Sequence, residues 1–275
     1  MHGFVLVVLN RPDTARPCLN AAAQDADAMN EARVEVLCVR LDPASTIFPS
    51  EEILTNERRE LRELRENDAA QWAAAANRAY NTWLDEHSDW AADRTSWSDP
   101  VSTIQHQVRV RGSGADLIVL PSPASPWDLD GQALRAAIFE ADRPVLIIPN
   151  TPIYAMGRSI AIIWDEEQPT VRAVLDAMPL LAQAHEVFVL ITIDRDATPS
   201  DLLPQLLIDH GVDAEIHAIQ RARPIGKALR EHTHHLGADL VVMGAYAHHP
   251  LIELMSGGLT RFMVSHADLP VLMRH

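Results

Sequence analysis

The sequence predicts an α/β protein of two tandem, doubly wound, five-stranded parallel-sheet units. Three observations predict it. A phrase is written twice, as Gly114-Ala115-Asp116-Leu117-Ile118-Val119-Leu120 and Gly237-Ala238-Asp239-Leu240-Val241-Val242-Met243. Each copy is followed by a second shared phrase, Ala141-Asp142-Arg143-Pro144-Val145-Leu146 and Ala267-Asp268-Leu269-Pro270-Val271-Leu272, so the copies are offset by 123 residues at one anchor and 126 at the other. Short continuous apolar runs, the pattern of strands buried on both sheet faces, alternate with segments of helical periodicity. That alternation is the pattern of strand–helix–strand crossovers on a parallel sheet.

The elements follow in order. Phe4 to Leu9 and Ile160 to Trp164 open the two copies as apolar strands. In the second copy Val171, Val174, Leu175, Met178 and Leu181 recur at helical spacing, and Val187 to Ile193 is the next strand. Asp213 to Ile219, a helix over Ile225 to Leu236, then Asp239 to Met243 and Pro270 to Met273 complete the five strands. The first copy departs at Pro49 to Asp85, which reads as a long helix with opposite charges at i, i+3 and i+4 between Glu57 and Glu66. Its Trp72 and Trp83 are expected to pack onto the sheet rather than to stack a ligand. Pro149 and Pro152 bracket a linker over Asn150 to Gly157. The units are therefore 1–150, with a helical insertion at about 49–85, and 157–275.

Composition removes several classes. The formal charge is −15 and no run of Lys and Arg interrupts it, which argues against nucleic acid as a partner. No apolar stretch approaches the roughly 18–20 residues of a membrane span, and the opening Met1-His2-Gly3-Phe4-Val5 lacks the features of an export leader. A cytoplasmic protein is expected. Cys18 and Cys38 are too few for a disulfide framework, in keeping with a reducing compartment. Lys227 is the only lysine and has no phosphate-loop context.

The end of the chain carries a glycine loop: Gly244-Ala245-Tyr246-Ala247, nine residues, then Gly257-Gly258-Leu259-Thr260-Arg261, and finally the second Ala-Asp-x-Pro phrase. A parallel sheet places ligands beyond its carboxyl edge, where a glycine-bearing turn feeding a helix offers amide N–H groups and a positive dipole end to phosphate. This order resembles the closing signature of universal stress proteins, Gly-x2-Gly-x9-Gly-Ser/Thr after the fourth strand, and in tandem form the resemblance covers nearly the whole chain. It implies a Rossmann-like fold of the adenine nucleotide alpha hydrolase type and a bacterial stress-response or regulatory protein without catalytic activity. It further implies ATP, with Mg²⁺, or AMP in the second half, with Asp165 meeting the adenosine, Met243 bordering the base or ribose, and Gly244, Ala247, Gly257, Gly258, Leu259 and Thr260 forming the phosphate loop. The fifth strands are expected to pair, joining Val145–Ile148 to Val271–Met273 as an internal pseudo-dimer, with a further homodimer and a protein partner left open.

Two departures weaken the nucleotide expectation. Ala247 stands where the family has its second glycine, and Gly258 stands at the Ser/Thr position, losing a hydroxyl. In the first copy Pro121 replaces the glycine, Pro123 and Pro126 follow, and Asn10 stands in place of Asp165. Prolines remove amide donors, so the first half is not expected to bind ATP in the family manner.

Histidines at 232, 234, 235, 248 and 249 lack the partners of a zinc site and read as surface residues. No Gly-x-Ser-x-Gly elbow is present, and Asp165, Glu166 and Glu167 read as a solvated strand end. No catalytic or metal-ligating residue is assigned. A protein-interaction scaffold without nucleotide and a weak nucleotide hydrolase are the alternatives.

Overall fold

A computed structural model describes residues 3–29, 32–41, 55–87, 93–151, 153, 156–193, 202–220, 224–245 and 258–275. The first half runs β1 (Phe4–Val8), a 3₁₀ turn (Pro12–Thr14), α1 (Ala15–Ala28), β2 (Arg33–Leu37), β3 (Arg40–Leu41), α2 (Thr55–Glu86), β4 (Thr95–Ser98), β5 (Val101–Ser102), α3 (Ile104–Gly112), β6 (Leu117–Pro121), α4 (Leu129–Arg135) continued by a π-helical turn (Ala136–Glu140), and β7 (Val145–Ile148). The second half runs β8 (Ser159–Trp164), α5 (Gln168–Asp176), α6 (Met178–Leu181), β9 (Glu186–Ile193), α7 (Leu202–Asp209), β10 (Glu215–Gln220), α8 (Ile225–His235), β11 (Leu240–Gly244), α9 (Leu259–His266) and β12 (Val271–Arg274).

The large sheet has ten strands in the order β10-β9-β8-β11-β12-β7-β6-β1-β2-β4, and β3 pairs with β5 beside it. Of its nine neighbouring pairs eight share one rule and one breaks it. Within each half every pair is parallel, as the buried apolar runs predict. At the seam β12 meets β7 antiparallel, with Val271 opposite Ile147, Leu272 opposite Leu146 and Met273 opposite Val145. This is the pairing of fifth strands that the resemblance implies. It closes the edge that each half would otherwise expose.

Because the seam is antiparallel, corresponding helices of the two halves lie on one face of the sheet. One core cluster gathers Val5, Val7, Leu19 and Ala22 with Ile160, Ile162, Val174 and Leu207. The opposite cluster gathers Leu6, Val8, Val108 and Ile138 with Ile163, Leu229, Met263 and Val264. Alternate residues of β1 thus feed opposite cores, which is why that strand carries no polar residue. Across the seam Arg274 of β12 lies 3.2 Å from Asp142 of the first half and 3.3 Å from Asp176 of the second. Ser122 Oγ donates to the Val264 carbonyl at 2.7 Å.

The long charged helix exists as α2, and the part of the segment at 49–54 lies outside the described residues. Its C-terminal half is anchored by Ala73, Ala76, Tyr80 and Trp83, spaced three, four and three apart, which enter the core. Trp83 is 2 % exposed and its indole N–H donates to Asn20 at 2.7 Å. Trp72 departs from the sequence expectation: it is 55 % exposed and does not pack onto the sheet. The reason is angular. Position 72 lies one residue, about 100° of helix, from the stripe that begins at Ala73.

Candidate functional site

Ligands in open α/β sheets lie beyond the carboxyl ends of the strands, so each half presents one edge to examine. In the second half that edge holds Asp165 after β8, Met243 and Gly244 at the end of β11, and Gly258, Leu259 and Thr260 at the start of α9. Ala247 and Gly257 lie outside the described residues. Met243 is buried in the sheet and Thr260 is buried on α9. Gly258 is the N-cap of α9, with extended backbone and, being glycine, no side chain of its own to cap the helix.

Local packing accounts for two of the residues. Asp165 Oδ1 accepts from the Glu167 amide at 3.1 Å and from Thr170 Oγ1 at 2.5 Å, tying the end of β8 to the start of α5. Between them Glu166 adopts φ +62°, a left-handed conformation uncommon outside glycine. At Gly244 a side chain would meet the Thr170 amide at 2.8 Å and Thr170 Oγ1 closer still. The space left by the missing Cβ is therefore filled by the first turn of α5.

The corresponding edge of the first half is hollow. A cavity of about 510 Å³ opens there, within the size range of small-molecule sites. Its floor comes from the carboxyl ends of β1 and β2, as Asn10, Arg11, Cys38 and Val39, and from the start of α4, as Asp128 to Asp130. Its wall is α2, through Asp68, Ala69, Trp72 and Ala73. Asn10 stands at the place equivalent to Asp165; its amide nitrogen donates to Asp130 Oδ1 at 3.0 Å and its Oδ1 has no hydrogen-bond partner. Arg11 Nε lies 3.0 Å from Asp130 Oδ2, and its Nη2 donates to Asn150 at 2.8 Å. Asp128 accepts from the amides of Ser125 at 2.9 Å and Gly131 at 2.7 Å, capping α4.

Sequence reasoning discounted this edge because Pro121, Pro123 and Pro126 replace the amide-rich loop. It missed the cavity, since a loop's chemistry does not reveal that a distant helix walls the space beneath it. Trp72 carried a signal: a large aromatic one position off an apolar stripe in a charged helix.

Burial governs the titratable groups. It pushes the Asp130 carboxyl above its ordinary value, opposed by the Asn10 hydrogen bond and the Arg11 charge. It pushes the Cys38 thiol up to about 11 and the Cys18 thiol higher, so neither is a thiolate at neutral pH. The imidazole of His232 is pushed down, first by desolvation and then by His217 and His235. Among the described residues no group of three or more His, Cys, Asp or Glu is placed to hold a metal ion, and no helix is long and apolar enough to cross a membrane.

Comparison with known proteins matches this geometry. Residues 165–275 match the model of the Universal stress protein family. A universal stress protein from Archaeoglobus fulgidus DSM 4304 superposes with a TM-score of 0.66 at 12% identity, over 99% of this chain and 96% of that one. A functionally unknown protein from Pseudomonas aeruginosa PAO1 gives 0.58 at 14% identity, over 98% and 91% of the two chains. A putative universal stress protein from Pseudomonas aeruginosa UCBPP-PA14 gives 0.54 at 12% identity, over 99% and 92%. Among curated protein sequences none matches. Residues 165–275 thus carry the match to the universal stress protein family, and the whole chain takes the fold seen in the Archaeoglobus fulgidus universal stress protein.

Proposed function

We propose that the protein is a non-enzymatic stress-response regulator whose second half binds ATP, with Mg²⁺, or AMP. One observation carries this reading: the family match covers the entire carboxyl edge of the second half, from Asp165 through the glycine loop to Thr260. In this reading Asp165 holds the adenosine and the start of α9 at Gly258 receives phosphate. Met243 and Gly244 border the ribose, while Ala247, Gly257, Leu259 and Thr260 complete the loop. No proton transfer or bond cleavage is assigned to these residues. Like the fold, the reading suits a protein of the cytoplasm that reports a nucleotide level to a protein partner.

A second reading, an interaction scaffold with no nucleotide, is favoured by the packing of Thr170 into the space beside Gly244. Calorimetric titration of ATP, ADP and AMP into the intact protein and into Gly258→Asp separates the two. Aspartate is a good N-cap and Gly258 has negative φ, so the substitution keeps α9 while placing a carboxylate where phosphate would sit. Saturable binding near one per chain, lost in Gly258→Asp, is the expected result. Absence of binding to the native protein at millimolar nucleotide would leave the scaffold.

A further inference from the structure

The first-half cavity has a chemistry of its own, independent of any nucleotide in the second half. We propose that it binds a small, planar, nitrogen-bearing aromatic molecule, neutral or cationic and without phosphate, held between Trp72 and the floor made by Asn10 and Asp130.

Three observations select that class. The first is the wall. Trp72 lines the cavity and is 55 % exposed, and an exposed indole offers a face for stacking rings and for cations. The second is the floor. Asn10 is only 9 % exposed, yet its Oδ1 lacks a hydrogen-bond partner. Buried acceptors are rarely left without donors, and a ring N–H or amine supplies one. The third is charge. Asp68, Asp128 and Asp130 line the cavity against Arg11, whose guanidinium already meets Asp130 and Asn150.

The same features exclude a phosphate group. Prolines at 121, 123 and 126 withhold backbone donors from the adjoining loop. The start of α4, which would otherwise attract an anion, is capped by Asp128. A carboxylate or phosphate ligand would enter beside fixed negative charge with no unengaged cation among the described lining residues.

The test uses one ring with three charges: indole, tryptamine and indole-3-acetate, titrated into the intact protein by calorimetry. Indole and tryptamine are expected to bind saturably at one per chain, with indole-3-acetate about tenfold weaker or worse. Trp72→Ala changes an exposed side chain and is expected to weaken tryptamine about tenfold. Ala69→Trp, on the half-buried wall of α2, fills the cavity and is expected to abolish binding. Equal affinity for the acetate, binding unchanged by either substitution, or no heat from indole and tryptamine at about 5 mM would each overturn the proposal. Circular dichroism of both variants confirms that the fold survives.

Discussion

Asp25 shows how one side chain sets a pH response. It is buried on α1, its Oδ2 has no hydrogen-bond partner, and desolvation pushes its pKa from 3.8 up to about 7. In the unfolded chain the proton leaves near 3.8, so between about pH 4 and pH 7 the folded state holds more protons than the unfolded one. Stability from this group is accordingly greatest in acid, falls as pH rises through that window, and levels off above it. The cost at pH 8 is up to about 4 kcal/mol. Asp25→Asn is expected to leave the melting temperature unchanged near pH 4 and raise it by several degrees at pH 8. A stability difference independent of pH, followed by differential scanning calorimetry, would remove the assignment. Asp130 and Asp176 are shifted in the same direction by burial, and their neighbouring arginines oppose the shift.

At the scale of elements, the contact between β11 and α5 leaves no room for a side chain at Gly244. Gly244→Ala drives a methyl group into the Thr170 backbone amide, and overpacking of this kind costs about 1–3 kcal/mol. Urea denaturation is expected to show that loss, with Thr170→Ala in the same chain recovering only part, because the amide at 2.8 Å remains. Full recovery would place the conflict at the hydroxyl alone. Gly244 also marks where sequence reasoning reaches its end. The order of strands and helices was legible because strands buried on both faces must be written as unbroken apolar runs, as in β1 and β8. The glycine was legible as a special position, but its neighbour was not, since nothing in the local sequence tells whether phosphate or Thr170 occupies the gap. The cavity of the first half lay deeper still, because it exists only where α2, supplied by an insertion, crosses the ends of β1 and β2.

For the whole molecule, the seam between β7 and β12 makes one sheet of two halves. Separated as residues 157–275, the second half would present β12 as an open, apolar edge. Such a fragment is expected to self-associate, and light scattering after gel filtration would report a dimer; a stable monomer would show that the edge is protected by other means. The antiparallel direction of that seam has a geometrical consequence. Since every strand within a half runs one way, reversing direction at the seam sends the two carboxyl edges to opposite sides of the sheet. The hollow beneath α2 and the glycine-loop edge therefore open away from each other, like two mouths back to back. Occupants cannot touch, and any influence of one on the other must travel through the strands themselves. A dimer of identical chains must accept every amino-acid change at both mouths at once. Fused end to end, this chain was free to wall one mouth with an added helix and three prolines while leaving its twin a glycine-bearing loop.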